Sequence, residues 1–428
     1  MSIRRRTLLK QGTLLPFTAL LASCQSSPTG SSDTRNARVV IIGGGFGGVT
    51  AARTLKAGAP DLDVVLIEPR RSYVACPFSN LVVAGLRDIK AQTFGYTAVE
   101  AMGVRILHDR ALEVDPVARR VTLDSRAELS YDRLIMAPGI ELNYDALPGY
   151  SRDAANSLPH AWDAGPQTVL LRDQLRALPE GGTVAMAIPD NPYRCPPGPY
   201  ERASLIAWYL KQHKPRAKLL LLDAKDRFSK QPLFMAAWKT LYGDRVEWLG
   251  RSDGAAVIEV DAANRTLITD FDQHQADVVN VIPPQRAAAV ARRADLTDRT
   301  GWCPIDAATF ESSRHRAAHV IGDAAIANAM PKSAFAANAQ GRLVALQILR
   351  SLNDLPPIDT KLMNTCYSLV SPDYGISVAG VYAADGPLWA SQPGSGGASP
   401  MDAPDGQRKA EANYARAWFR HITDQVFG

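Results

Sequence analysis

The chain has 428 residues, 46% hydrophobic and 21% charged, which suffices for about three ordinary domains with real cores. Its formal net charge is +5, but Arg4, Arg5, Arg6 and Lys10 supply four of those charges and no acid precedes Asp33, so the body is nearly neutral and nothing electrostatic favours nucleic-acid binding. The seven histidines show no metal-ligand spacing, and without a C-x-x-C-H motif the chain cannot attach a c-type haem in the usual way.

Arg5-Arg6-Thr7-Leu8-Leu9-Lys10 fits a twin-arginine export leader over residues 1–23, with the apolar stretch Thr13 to Ala22 too short to span a bilayer. Leu21-Ala22-Ser23-Cys24 fits a lipobox, which would make Cys24 a lipid-anchored first residue of a periplasmic protein. Gln25 to Asn36 is rich in Ser, Thr, Gly and Pro, so residues 24–36 read as a tether. Arg38 to Ile42 predicts a buried parallel strand, Val49 to Lys56 a helix and Val64 to Ile67 a second strand. Val104 to Leu107, Glu113 to Asp115 and Arg119 to Leu123 predict a small antiparallel insertion, and Arg133 to Met136 another buried strand. Thr183 to Ile188 opens a second βαβ-like unit, continued by a helix from about Tyr200 to Lys211 and the strand Lys218 to Leu222. Val278 to Ile282 and His319 to Ile321 are later strands, and Ala334 to Ser351 is a long helix. After the break at Pro356-Pro357, a β-containing segment ends in a helix.

Gly43, Gly45 and Gly48 satisfy G-x-G-x-x-G between the first strand and its helix. The glycines permit a tight turn, backbone approach to a pyrophosphate, and close packing of helix on strand. Glu68, at the end of the second strand, is placed to accept ribose hydroxyls. Two further stretches point to FAD. Met136-Ala137-Pro138-Gly139 resembles the turn after the third buried strand in two-dinucleotide flavoproteins, and His319-Val320-Ile321-Gly322-Asp323-Ala324 resembles their second fingerprint, in which the Asp binds the ribityl and pyrophosphate region. Lys332, just before the long helix, is either a cation at the pyrimidine end of the flavin or a solvated surface charge.

The corresponding turn of the second unit, Pro189 to Tyr200, holds one glycine and five prolines. Proline removes N–H donors and blocks close approach, so this unit is expected to lack a nicotinamide site. Asp223 is either a remnant ribose acid or a solvated one. The loop presents Cys195 just before a helix, where the helix N-terminus is expected to lower the thiol pKa. Glu201, in the first helical turn, is either a general acid/base or a capping acid.

Arg194-Cys195-Pro196-Pro197-Gly198-Pro199-Tyr200-Glu201-Arg202-Ala203 resembles the signature of the flavoprotein subunit of flavocytochrome c sulfide dehydrogenase. So do Cys76-Pro77-Phe78-Ser79-Asn80, Gly301-Trp302-Cys303-Pro304, Met330-Pro331-Lys332-Ser333 and Gly375 to Tyr382. The resemblance implies an α/β fold of two Rossmann-like dinucleotide-binding domains plus a C-terminal α+β interface domain. The domains would be residues 37–150 with 285–355 (FAD), 151–284 (second Rossmann-like) and 356–428 (interface). It further implies FAD held covalently through Cys76, and Cys195 with Cys366 as a redox disulfide beside the acid Glu201. Hydrosulfide would be the substrate, and a c-type cytochrome subunit carrying the haem the partner. Cys303 has no assigned role, and Cys195 with Cys303 is the rival pairing. A sulfide:quinone reductase, with residues Tyr414 to Phe427 lying on a membrane or packed as a terminal helix, and a non-catalytic flavoprotein scaffold are the rival functions.

Overall fold

A computed structural model describes residues 37–428. The expectations resting on Arg5, Arg6, Cys24 and the tether fall outside the described residues. Two parallel sheets carry the α/β part. The first has five strands in the spatial order Ala318–Val320, Arg133–Met136, Arg38–Ile42, Asp63–Ile67 and Arg105–Leu107. The second has four, in the order Val246–Leu249, Lys218–Asp223, Thr183–Ile188 and Val278–Val281. The central strands are mostly apolar and buried, as parallel strands covered on both faces are. Val39, Val40, Ile41, Leu66, Leu134 and Ile135 are fully buried.

One strand was expected elsewhere. Residues 105–107 pair parallel with Asp63–Ile67 at the sheet edge, and the antiparallel insertion is Ala111–Asp115, Arg120–Leu123 and Glu128–Ser130. A three-residue edge strand has too few alternations to show which sheet it joins. The long helix is Ala334–Ser351, as its apolar pattern predicts.

The C-terminal segment is an antiparallel meander, Lys361–Ser371, Tyr374–Asp385 and Leu388–Ser391, followed by the helix Asp405–Phe427. Phe419 stacks on Phe78 at 4.7 Å between ring centroids, and Phe427 stacks on Phe94 at 5.3 Å. This helix is therefore packed against the interior, the plainer of the two readings of Tyr414 to Phe427. Among the described residues, no helix is long and apolar enough to cross a membrane.

Candidate functional site

A large cavity of about 1190 Å³ lies where the first sheet, the second sheet and the meander meet. Its base is the glycine loop. Gly43 has φ +105°, and a Cβ there would lie 2.2 Å from the Ala137 carbonyl oxygen. A Cβ on Gly48 would lie 2.0 Å from the Gly43 carbonyl oxygen. Gly48 does not line the cavity; it lets the helix Phe46–Gly58 sit close enough for its N-terminus to face the cavity. Glu68 accepts from the Gly44 N–H (2.9 Å) and from the Arg70 N–H (3.0 Å), so the second strand and the loop are locked together.

Gly45, Gly139, Gly322 and Asp323 also line the cavity. Burial raises the Asp323 pKa, against the opposing pull of Arg194 and Lys332. Its Oδ1 is buried with no hydrogen-bond partner, and a buried carboxyl oxygen in that state calls for one. The N-terminus of the long helix enters beside it at Ser333 and Ala334. Two helix N-termini and a set of arginines (Arg70, Arg110, Arg152, Arg293) facing one elongated cavity suit a diphosphate. The orphaned Asp323 oxygen suits a ribityl hydroxyl. These residues fit FAD.

Lys332 departs from both of its expected readings. Its ammonium donates to the carbonyls of Asp323 (2.8 Å) and Ala325 (2.7 Å) and sits 3.9 Å from the Trp302 ring centroid. Burial lowers its pKa to about 8. It is a half-buried strut behind the second fingerprint and does not line the cavity. A cation that does line the cavity on this side is Arg194, which bonds the Trp162 carbonyl and lies 4.0 Å from Asp323. Cys76 lies on the same wall, its thiol 3.8 Å from the Trp162 carbonyl.

Cys195, Glu201 and Cys366 share one side of this cavity. Cys195 sits at φ +58°, its N–H held by the Lys332 carbonyl at 2.8 Å. The expected lowering of its pKa does not occur. Burial, then Cys366 and Glu201, push the Cys195 thiol up. The helix starts only at Gly198, and desolvation of a buried thiolate outweighs a helix end three residues away. Cys366 is also pushed up by burial, against Lys230 and an Asn364 Nδ2 hydrogen bond to its sulfur at 3.2 Å. Both are free thiols here, so the implied disulfide is not formed in this structure. Cys303 is fully buried away from the cavity, its N–H bonded to Ala324.

Glu201 is held at both oxygens, by Asn80 Nδ2 (2.9 Å) and by the Leu369 N–H (2.9 Å). Burial raises its pKa. Behind it, Arg202 is 2% exposed and donates to Asn80 Oδ1, Asn280 Oδ1 and the His160 and Ala161 carbonyls. Lys230, on the loop before the helix Gln231–Tyr242, donates to the Cys366 carbonyl and Ser368 Oγ, both at 2.8 Å. Sequence reasoning passed over Arg194, Arg202, Lys230, Asn80 and His160. Their partners lie 32 to 138 positions away for most of these bonds, and only the adjacency of Arg194 and Arg202 to Cys195 and Glu201 hinted at them.

The second unit is closed to a dinucleotide by its own side chains. Asp223 is fully buried and accepts from Tyr200 (2.6 Å), Trp248 (3.0 Å) and Lys225 (2.6 Å). The Tyr200 ring stacks on Phe228 at 3.6 Å. The solvated reading of Asp223 is thus wrong, and as a ribose acid it is already fully engaged.

Comparison with known families matches residues 37–166 to pyridine nucleotide-disulphide oxidoreductases. Residues 168–283 match the central part of the sulfide dehydrogenase [flavocytochrome c] flavoprotein chain, and residues 358–427 the flavocytochrome c sulphide dehydrogenase flavin-binding region. A sulfide dehydrogenase [flavocytochrome c] flavoprotein chain from Chlorobaculum thiosulfatiphilum is 51% identical over 45 residues, which are 94% of that sequence and 10% of this one. The chain belongs to the flavoprotein chains of flavocytochrome c sulfide dehydrogenase. Like others of this family it carries a flavin-binding region, and FAD fits its cavity. Mouse mitochondrial sulfide:quinone oxidoreductase is 24% identical over 67% of this chain, and the match spans 65% of the mouse protein. The structure of the sulfide:quinone oxidoreductase from Aquifex aeolicus superposes with a TM-score of 0.71 at 18% identity, covering 91% of both chains. That likeness shows the two-dinucleotide-domain fold.

Proposed function

We propose that this protein oxidises hydrosulfide to zero-valent sulfur through Cys195 and Cys366, and passes the electrons to a c-type cytochrome subunit that carries the haem. The observation that carries the reading is the placement of two cysteines and a doubly held carboxyl on one wall of a cavity built for a flavin. FAD, when bound, supplies a two-electron acceptor that can release electrons one at a time. In the oxidised enzyme the two cysteines form the disulfide, which hydrosulfide opens by thiolate attack. Glu201, with its raised pKa, takes the proton of the incoming sulfur nucleophile and returns it to a cysteine sulfur. Arg202 and Asn80 keep that carboxyl aimed. Cys76 attaches the flavin covalently, and Arg194 balances its charge.

The leader motif supports export to the periplasm by the twin-arginine route, and the lipobox supports a lipid anchor at Cys24. A quinone acceptor is the competing reading, since the mouse and Aquifex proteins bear that name. Sulfide-dependent reduction of cytochrome c, compared with reduction of a soluble quinone analogue, decides between them. Reduction of cytochrome c alone supports the proposal; reduction of the quinone alone overturns it. A scaffold with no activity would reduce neither.

A further inference from the structure

Two lysines of the described residues are less than a tenth exposed, Lys225 at 8% and Lys230 at 9%. Taking an ammonium out of water is costly unless an anion repays it. Lys225 has that anion, the Asp223 carboxylate at 2.6 Å. Lys230 forms no salt bridge among the described residues. Two of its three N–H groups go to neutral oxygens, the Cys366 carbonyl and Ser368 Oγ, both at 2.8 Å. Its ammonium lies 5.7 Å from the Phe234 ring centroid. The backbone adds a second cost, since Lys230 sits at φ +62° in the left-handed region. A buried, strained cation without a counter-ion calls for a state of the protein that supplies one.

The groups that can act on it are few. Burial lowers its pKa to about 8, against Cys366, Glu201, Cys195 and Glu411 in that order. These come from the strand Lys361–Ser371, the helix Gly198–His213, the loop before that helix, and the C-terminal helix. Glu201 is already held by Asn80 and the Leu369 N–H, and burial favours its neutral form. Glu411 accepts from Ser399 Oγ at 2.6 Å and has Arg408 4.0 Å away. That leaves the two sulfurs. Burial pushes the Cys366 thiol up, and Lys230 is the foremost of the groups that pull it back, ahead of the Asn364 hydrogen bond. For Cys195, Lys230 again precedes Arg194 among the groups that oppose burial.

Resting on the sulfide-oxidation reading above, we infer that Lys230 is a positioning residue for that reaction: its ammonium is the built-in counter-charge of the Cys366 thiolate, fixed by the same strand that carries the cysteine. The Cys366 thiol gives its proton to solvent and Lys230 keeps its own, so a buried thiolate–ammonium pair replaces a lone buried cation. Both hydrogen bonds of Lys230 run to residues 366 and 368, so the charge stays with the cysteine if the strand shifts. Glu201 cannot serve in this way, because its negative form raises the Cys366 pKa.

The test follows iodoacetamide labelling of the Cys366 peptide by mass spectrometry, in FAD-loaded protein reduced anaerobically with dithiothreitol and desalted. The thiolate sulfur displaces iodide, so the rate tracks the thiolate fraction even where the thiol predominates. An opposite charge lowers a pKa by about 1–3 units, so Lys230→Gln, which keeps an N–H donor but no charge, should label at least about tenfold more slowly near neutral pH. Lys230→Arg keeps the charge and should stay within about threefold of wild type. FAD content and melting temperature control for folding. Equal rates in wild type and the Gln variant would overturn the inference. Equal slowing in the Gln and Arg variants would also overturn it, leaving Lys230 a mere strut for the strand. The wild-type pH profile is a check that needs no variant. Labelling should rise about tenfold per pH unit until Lys230 itself loses its proton, near its pKa of about 8, and then level off, because further thiolate is gained only as the cation is lost. A steady rise through that range would contradict the pairing. No arm contains sulfide, so failure of sulfide to reduce the flavin, measured separately, would overturn the underlying reading alone.

Discussion

Replacing Glu201 by Gln removes one charge and almost no volume, so its consequences can be worked from the hydrogen bonds. The carboxyl accepts from Asn80 Nδ2 on one oxygen and from the Leu369 N–H on the other. A glutamine keeps one acceptor and turns an NH₂ toward whichever donor remains. Asn80 cannot flip to accept it, because Asn80 Oδ1 already takes a hydrogen bond from Arg202 at 3.1 Å. One buried donor is therefore left facing a donor, which costs about 1–3 kcal/mol of stability. The rate suffers more. A positioned proton carrier contributes about 10²–10⁴-fold, so flavin reduction by sulfide should slow by about 10²-fold or more at unchanged FAD content.

The pH dependence has a fixed sign. Burial raises the folded-state pKa of Glu201, so its stabilising contribution is complete below the ordinary glutamate pKa and is lost as pH rises through the raised value. The stability advantage of wild type over Glu201→Gln should then shrink as pH rises across that window. Anaerobic stopped-flow and urea titrations at several pH values measure both quantities. A variant reduced within about threefold of the wild-type rate, under about 0.7 kcal/mol of barrier, would show that Glu201 moves no proton.

Three other outcomes follow from the same geometry. Gly48→Ala would place a methyl 2.0 Å from the Gly43 carbonyl oxygen, an overpacking worth about 1–3 kcal/mol, and should give protein purified without flavin; a full FAD complement would refute the role given to that loop. Acid precipitation of the Cys76→Ser variant should leave all flavin in the supernatant, whereas wild-type pellets should be yellow, and colourless wild-type pellets would rule out the covalent link. His160 is buried, accepts from the Trp162 N–H at 3.0 Å, and has its pKa lowered to about 4, chiefly by burial. The neutral ring is thus favoured on folding, and stability should fall by up to about 3 kcal/mol as pH drops from 6.5 towards 4; His160→Gln should flatten that slope, and an unchanged slope would place its origin elsewhere.

The residues that could be read from sequence are those whose constraint is local. Gly43 and Gly48 are forced by a turn a few residues long, and Ala334–Ser351 by its own apolar spacing. The long helix came out to the residue for that reason. What could not be read is set by distant partners. Lys332 could be read as a flavin-facing cation or as a solvated surface charge, but the Trp302 ring and two carbonyls hold it behind the loop. Cys195 looked activated by a helix end, yet burial, followed by Cys366 from the distant meander, pushes its thiol up. Arg202 has the appearance of an ordinary helix residue until Asn80, His160 and Asn280 converge on it. Asp223 could not be placed until Tyr200, Lys225 and Trp248 were seen to close over it.

The central claim is that sulfide is oxidised at the Cys195 and Cys366 pair. The most direct measurement is the rate of sulfide-dependent flavin reduction in Cys195→Ser, Cys366→Ser and Cys303→Ser, each loaded with FAD. The account predicts that the first two bind FAD but are not reduced by sulfide, while Cys303→Ser, altered in a buried thiol outside the cavity, is reduced at the wild-type rate. Normal reduction of the Cys366 variant together with loss in the Cys303 variant would contradict it.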